Sequence, residues 1–313
     1  MNLTMSDLTE QNEKNIRRRD FLRLSLGAGA LFTFGRLNAS QQKNRMATAQ
    51  SDTDREATTW YVFDHIITYA RANGFHELPL GEIMGKIGKV LIATPYVGGT
   101  LEGSPERCRI DLTGMDCVTF FEDVLGISRI LKKGKTTFDD LIKEITYTRY
   151  RGGKLNGYLS RLHYTADWIA DNTIKKVVKN ITPMLAGAVQ LPLNVSFMSQ
   201  HPQYYPPLAA DETLVPRIAE TERAINATKH WYVPTSAVKT IEPQLMTGDI
   251  IAVATNKEGL DYAHTGLIFR DERNRARFLH ASLDKKRVFL DKTISGYLKG
   301  VPSHIGITIV RPI

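Results

Sequence analysis

The chain has 313 residues, 42% of them hydrophobic and 24% charged, and a formal net charge of +8. That composition excludes a disordered or low-complexity protein and leaves material for one sizeable core or two smaller ones. The basic balance favours an acidic partner, but no basic run with interleaved aromatics follows the N-terminus, so a nucleic-acid binder is not expected.

The N-terminus reads as an export signal. Arg17-Arg18-Arg19-Asp20-Phe21-Leu22-Arg23 precedes the apolar, Gly/Ala-rich stretch 24–37, which is too short to hold a bilayer as an anchor. Paired arginines followed by Phe-Leu resemble a twin-arginine signal. Small residues offer cleavage after Ala39 or after Ala49, where Ala47-Thr48-Ala49 has the A-x-A form. Residues 1–49 are therefore assigned to signal and linker, and 50–313 to one domain. The mature protein is expected in the periplasm, with no stable membrane insertion, since no later apolar run reaches transmembrane length.

Helical spacing of Trp60, Phe63, Ile66, Ile67 and Ala70 predicts a helix over 55–73, ended by Gly74. A second helix is expected over about 80–92. Pro95, Gly98, Gly99, Gly103 and Pro105 then break the periodicity, making 93–106 a loop just upstream of the cysteines.

Val118, Phe121, Val124, Leu125, Ile127 and Leu131 form one apolar stripe, with Asp116 as N-cap and Lys132-Lys133-Gly134 at the far end. Cys117 thus stands in the first turn of a buried helix. Free backbone N–H groups and the positive end of the helix dipole there should lower its thiol pKa and could hold an oxyanion. A disulfide to Cys108 is disfavoured, because a cysteine opening a helix so close in sequence makes a strain-free bridge hard to build, and Cys108 is expected as a buried, inert thiol.

The C-terminal third changes character. Gly248–Ala254, Ala263–Phe269, Ala276–Ser282, Arg287–Leu290 and Ile305–Val310 are β-rich runs separated by charged turns, predicting an antiparallel meander. A turn near Asp271 to Asn274 sets His264 across from His280, so that one ring can orient the other. Either histidine alone would be unremarkable. Together with a helix-start cysteine they suggest nucleophilic catalysis.

Pro95–Gly99 (PYVGG), Asp116-Cys117, Gly248–Ile251 (GDII), His264–Leu267 (HTGL) and Leu279–Ser282 (LHAS) resemble, in that order, the landmarks of NlpC-type papain-like cell-wall hydrolases. Tyr96–Glu102, Asp116–Glu122, Tyr150–Asn172 and Phe197–Pro202 are similar more closely to the N-acetylmuramoyl-L-alanine amidase-like family within that superfamily. The resemblance covers nearly all of 55–313. It implies an α+β, papain-like NlpC-type fold, with the cysteine helix packed on a small antiparallel sheet. Cys117 would be nucleophile, His264 general base and His280 the orienting residue, with Tyr96 over the site and Asp116 beside it. The long stretch of about 134–245 exceeds a minimal NlpC-type domain and would be a helical insertion shaping the pocket.

Within that insertion the spacing predicts a helix over 157–168 that presents Arg161, His163 and Tyr164 away from its apolar stripe. Arg161 or His163 is expected either to meet a substrate carboxylate or to hold the insertion to the core, and Glu102 is assigned to the substrate side. The resemblance implies a peptidoglycan or muropeptide substrate, cleaved between N-acetylmuramic acid, possibly in its anhydro form, and L-alanine, without metal or cofactor. An endopeptidase cutting within the stem peptide stays open. A zinc amidase is disfavoured because no HExxH-type motif is present, and a non-catalytic wall-binding module because Cys117, His264 and His280 are all kept.

Overall fold

Helix α1 (Ala39–Ala72) opens the computed structural model, which describes residues 39–313, with side chains from residue 54. The twin-arginine segment lies outside the described residues, and both cleavage candidates fall at the start of α1, where no side chain is described. Val62, Phe63, Ile66, Ile67 and Ala70 face inward as their spacing requires, but Trp60 is turned out to solvent while Thr59 is buried. The helix stops at Gly74, whose φ of 66° only glycine adopts freely.

Helix α2 (Leu80–Val90) crosses the sheet so closely that a Cβ on Gly248 would lie 2.3 Å from the Cα of Gly81. Helix α3 (Cys117–Lys132) is buried on almost every side, packed among α2, α4 (Phe138–Arg149) and the sheet. Each of its large apolar side chains contributes about 1.5–3 kcal/mol by leaving water. Its buried Glu122 is paired: Arg149 Nε donates to Glu122 Oε2 at 2.6 Å and Trp168 Nε1 donates to Glu122 Oε1 at 3.0 Å, while Arg149 Nη2 stands 3.5 Å from Asp123 Oδ1, whose pKa burial raises well above the usual carboxylate range. The helix that begins at Cys117 is thereby tied to α4 and to α5 (Thr165–Ile174).

The sheet is antiparallel throughout. Its order is β2 (Val189–Leu191), β3 (His230–Pro234), β8 (His304–Pro312), β4 (Ile250–Thr255), β5 (Tyr262–Arg270), β6 (Ala276–Ser282) and β7 (Arg287–Thr293), with β1 (Val178–Asn180) paired to β8. β4 to β7 form the expected meander. The last strand departs from it, because β8 pairs with β4 rather than with β7. The short helix α10 (Ile294–Leu298) carries the chain under the sheet, so that Ile307 and Ile309 fill a second core with Ile251, Val253, Phe278 and Leu298. The helix α3 side carries Ile250, Ala252, Leu267 and Leu279. Both faces are therefore covered, which is why every residue of β4 is buried.

The stretch 134–245 is not purely helical. Besides α4, α5, α6 (Phe197–Gln200), α7 (Pro206–Ala210), α8 (Val215–Asn226) and α9 (Thr235–Ile241) it supplies β1, β2 and β3 to the common sheet. The helix expected over 157–168 begins only at Thr165: Gly157 takes φ 71°, and Arg161 runs extended as a bridge partner of Tyr150. No helix among the described residues is long and apolar enough to cross a membrane.

Candidate active site

Asp116 caps α3 as its position predicts. Its Oδ1 accepts from Val118 N at 3.0 Å and Thr119 N at 2.8 Å, while Thr119 Oγ1 accepts from Asp116 N at 2.9 Å. This reciprocal box fixes the first turn and so the direction of the Cys117 side chain. It also uses the amides of Val118 and Thr119, while the Cys117 N–H bears on its own sulfur. The expectation of a lowered thiol pKa is corrected: burial, then the charge on Asp116, push Cys117 up to about 11, against hydrogen bonds from Thr265. Burial is the larger cause, and the carboxylate that builds the turn adds to it. Both cysteines are free, and Cys108 is half-buried, not buried, its Sγ 3.7 Å from Ile142 O.

The histidines meet as expected, but not by direct opposition. The β5–β6 ladder pairs Leu267 with Leu279, a register that sets Gly266, not His264, across from His280. His264 reaches diagonally, its Nε2 2.6 Å from His280 Nδ1. Gly266 makes this possible, since a Cβ there would lie 2.8 Å from His280 Cβ and 2.7 Å from a Phe278 ring carbon. Burial depresses both rings, His264 to about 3 with help from His280 and His304, and His280 to about 4 against the pull of Asp291. His280 Nε2 stands 3.6 Å from Asp291 Oδ2, beyond hydrogen-bond range and within that of an ion pair.

Thr265 links the strand to the cysteine by donating from Oγ1 to Cys117 O at 2.7 Å. Tyr297 links the two from the other side. Its ring stacks on His264 at 6.1 Å and meets His280 edge-on at 5.2 Å, and its hydroxyl pKa is raised by burial, then by charge on Cys117, Asp291 and Asp284. Thr265 stood within the HTGL run without a role, and neither Tyr297 nor Asp291 carried a sequence signal, because each acts through register or through α10, which periodicity did not reveal.

Tyr96 is held beside Cys117. Pro95 O accepts from Met115 N at 3.1 Å, Val97 N donates to Met115 O at 3.2 Å, and Tyr96 N donates to Lys286 O at 2.9 Å. Burial, then the charges on Cys117 and Asp116, push the Tyr96 hydroxyl up to about 12.

Glu102, Arg161 and His163 form a separate group. Arg161, 4% exposed, donates from Nη2 to Glu102 Oε1 at 2.9 Å and stands 3.5 Å from Glu106 Oε1. His163 Nε2 lies 2.9 Å from Tyr158 O, and burial, then Arg161, lower its pKa to about 3. Arg161 is thus buried and ion-paired in this structure, an arrangement that fits the second of the two roles its sequence allowed. Among the described residues no hydrogen bond or ion pair joins this group to Cys117. A cleft of about 750 Å³ between α1 and the 99–111 loop is lined by Glu102 and Cys108 but not by Cys117. No group of three or more His, Cys, Asp or Glu among the described residues is arranged to hold a metal ion.

The mixed helix and antiparallel-sheet fold is that of an amidase-like peptidoglycan hydrolase: a family model described as N-acetylmuramoyl-L-alanine amidase-like matches residues 86–307. The chain belongs to that family. A Bacteroides uniformis ATCC 8492 structure named N-acetylmuramoyl-L-alanine amidase, solved at 1.07 Å, is 33% identical and superposes with a TM-score of 0.70 over 75% of this chain and 99% of its own. A second structure of that name from the same strain, at 1.15 Å, gives 33% identity and a TM-score of 0.69, covering 74% of this chain and 98% of its own. A Legionella pneumophila str. Philadelphia 1 protein shares the fold at 19% identity, with a TM-score of 0.64 over 83% of this chain and 96% of its own. No curated protein matches the chain.

Proposed function

We propose that this protein is an exported, periplasmic cysteine amidase of papain-like, NlpC type, and that it hydrolyses the amide between N-acetylmuramic acid and L-alanine of a muropeptide. The carrying observation is the 2.6 Å contact between His264 and His280, on a strand whose next residue, Thr265, is bonded to Cys117. For His264 to act as base, its Nδ1 must be unprotonated. The tautomer that follows donates from His264 Nε2–H to His280 Nδ1 and turns His280 Nε2–H to Asp291. That assignment is inferred from the partners, and it orders the site as Cys117, His264, His280, Asp291.

With the thiol held up and the imidazoles held down, the resting site is a neutral pair. The proton passes to His264 as Sγ attacks the amide carbonyl, and the Cys117 N–H faces the developing oxyanion. The imidazolium so formed is stabilised through His280 by Asp291. It then protonates the leaving amine, and His264 activates water to release the acyl group from Sγ. Tyr96 closes the site over the thiol, and the domain comprises residues 50–313 with its inserted 134–245 stretch. The export signal accounts for access to wall material.

Mass spectrometry of defined muropeptides, with and without anhydromuramic acid, tests the reading against a Cys117→Ala control. Release of the intact stem peptide by the wild type alone is the expected outcome. Cleavage inside the stem would instead make the protein an endopeptidase, and no cleavage of any substrate would overturn catalysis.

A further inference from the structure

The turn between β6 and β7 together with the first residue of β7, residues 283–287 (Leu-Asp-Lys-Lys-Arg), lies against the Tyr96 loop at the candidate site. It leaves β6 two residues after His280 and enters the strand that carries Asp291. Its backbone is clamped to the Tyr96 loop: Tyr96 N donates to Lys286 O at 2.9 Å, Val288 N donates to Thr94 O at 2.8 Å, and Pro95 bridges Arg287. The turn therefore cannot move independently of the tyrosine that flanks the thiol.

All five of its residues are exposed, and no ion pair among the described residues involves Lys285, Lys286 or Arg287. Its one carboxylate, Asp284, is close enough to add to the charge felt by His280 and Tyr297. Arg161, the residue whose place in the sequence suited a substrate carboxylate, is already paired with Glu102 and Glu106. Three unpaired cations at the mouth of a site that takes acidic peptides are a charge left for the ligand.

We propose that Lys285, Lys286 and Arg287 form a carboxylate-binding lip that engages the free carboxylates of the stem peptide and sets the preference for non-amidated substrate. This rests on the muropeptide reading above. The lip binds and orients substrate, and takes no part in bond making.

The test is calorimetric binding to the full chain carrying Cys117→Ala, so that affinity is read without turnover. The probes are a muropeptide with free stem carboxylates and the same muropeptide with those carboxylates amidated. The free form should bind about tenfold tighter near ~50 mM salt, and this preference should shrink near ~500 mM as screening shortens the reach of exposed charges. Adding Lys285→Gln, Lys286→Gln and Arg287→Gln together should abolish it. If that variant does not fold, Lys285→Gln alone, an exposed side chain outside the clamp, should reduce the preference about twofold. A preference that survives the substitutions, or its absence in the parent, overturns the lip alone. Failure of the parent to bind either form overturns the lip together with the muropeptide reading.

Discussion

His264 Nε2 and His280 Nδ1 lie 2.6 Å apart although their residues are not opposed in the β5–β6 ladder. The contact is diagonal and depends on the missing side chain of Gly266. If His280 orients His264, then His280→Ala should lower kcat by about 10²–10⁴-fold with a smaller change in KM, the range expected when a positioned acid–base pair is lost. His280→Asn, which keeps an acceptor, should retain more activity than the alanine variant. Equal loss in both would argue that His280 only fills space.

Asp291 supports the imidazolium through His280, so Asp291→Asn should weaken the site without emptying it. A fall in kcat of about tenfold is expected, with the melting temperature little changed because the carboxylate is partly exposed. Steady-state kinetics beside a thermal melt separate the two effects.

Gly266→Ala is a test of geometry. The new Cβ would meet Phe278, His280 and the backbone of Leu279 within 2.8 Å, and backbone cannot yield as a flexible side chain can. A stability loss of about 1–3 kcal/mol by overpacking is expected in urea denaturation, with an activity loss larger than the fraction unfolded explains.

The pH behaviour follows from a neutral pair. With Cys117 at about 11, iodoacetamide labelling in a Cys108→Ala background should rise with pH through the alkaline range and show no plateau near neutrality. A thiolate–imidazolium pair would instead label at a steady rate from about pH 6 upward. Stability responds in the opposite range. His264 and His280 are depressed to about 3 and about 4, so the unfolded chain binds more protons below its ordinary histidine value of about 6.5. The stability that neutral histidines allow is whole above about pH 6.5 and falls as pH drops toward those folded values. Thermal melts from pH 7 to 4 should show this slope, and His280→Asn should flatten it.

Arg149, 1% exposed, compensates Glu122 and Asp123 inside the protein. Arg149→Ala should cost about 3–5 kcal/mol, since it strands the buried carboxylate of Glu122, whereas burial already pushes Asp123 toward its neutral form. Pairing Arg149→Met with Glu122→Leu should recover much of that loss in the same denaturation experiment, because no unpaired charge at Glu122 remains.

The sequence by itself determined the elements whose signals are local. Asp116 before an apolar stripe specifies the cap and the start of α3, since a capping box needs only residues three apart. The alternation in 248–310 specifies β4 to β8 for the same reason. The nearness of His264 to His280 also followed from hairpin length, within one rung. What lay beyond reach was set by long-range register and packing. Whether the Cys117 thiol would be raised or lowered depended on how deeply the fold buried it and how close the capping carboxylate came. Which side of the sheet β8 joined depended on where two cores could close. The break from α-helix over 157–164, a 3-10 turn at Tyr158–Ser160 followed by extended Arg161, was decided by contacts of Arg161 with Tyr150, Glu102 and Glu106. Asp291, Thr265 and Tyr297 joined the site only through the tertiary structure, because a residue two strands or one buried helix away has no fixed spacing from the cysteine it serves.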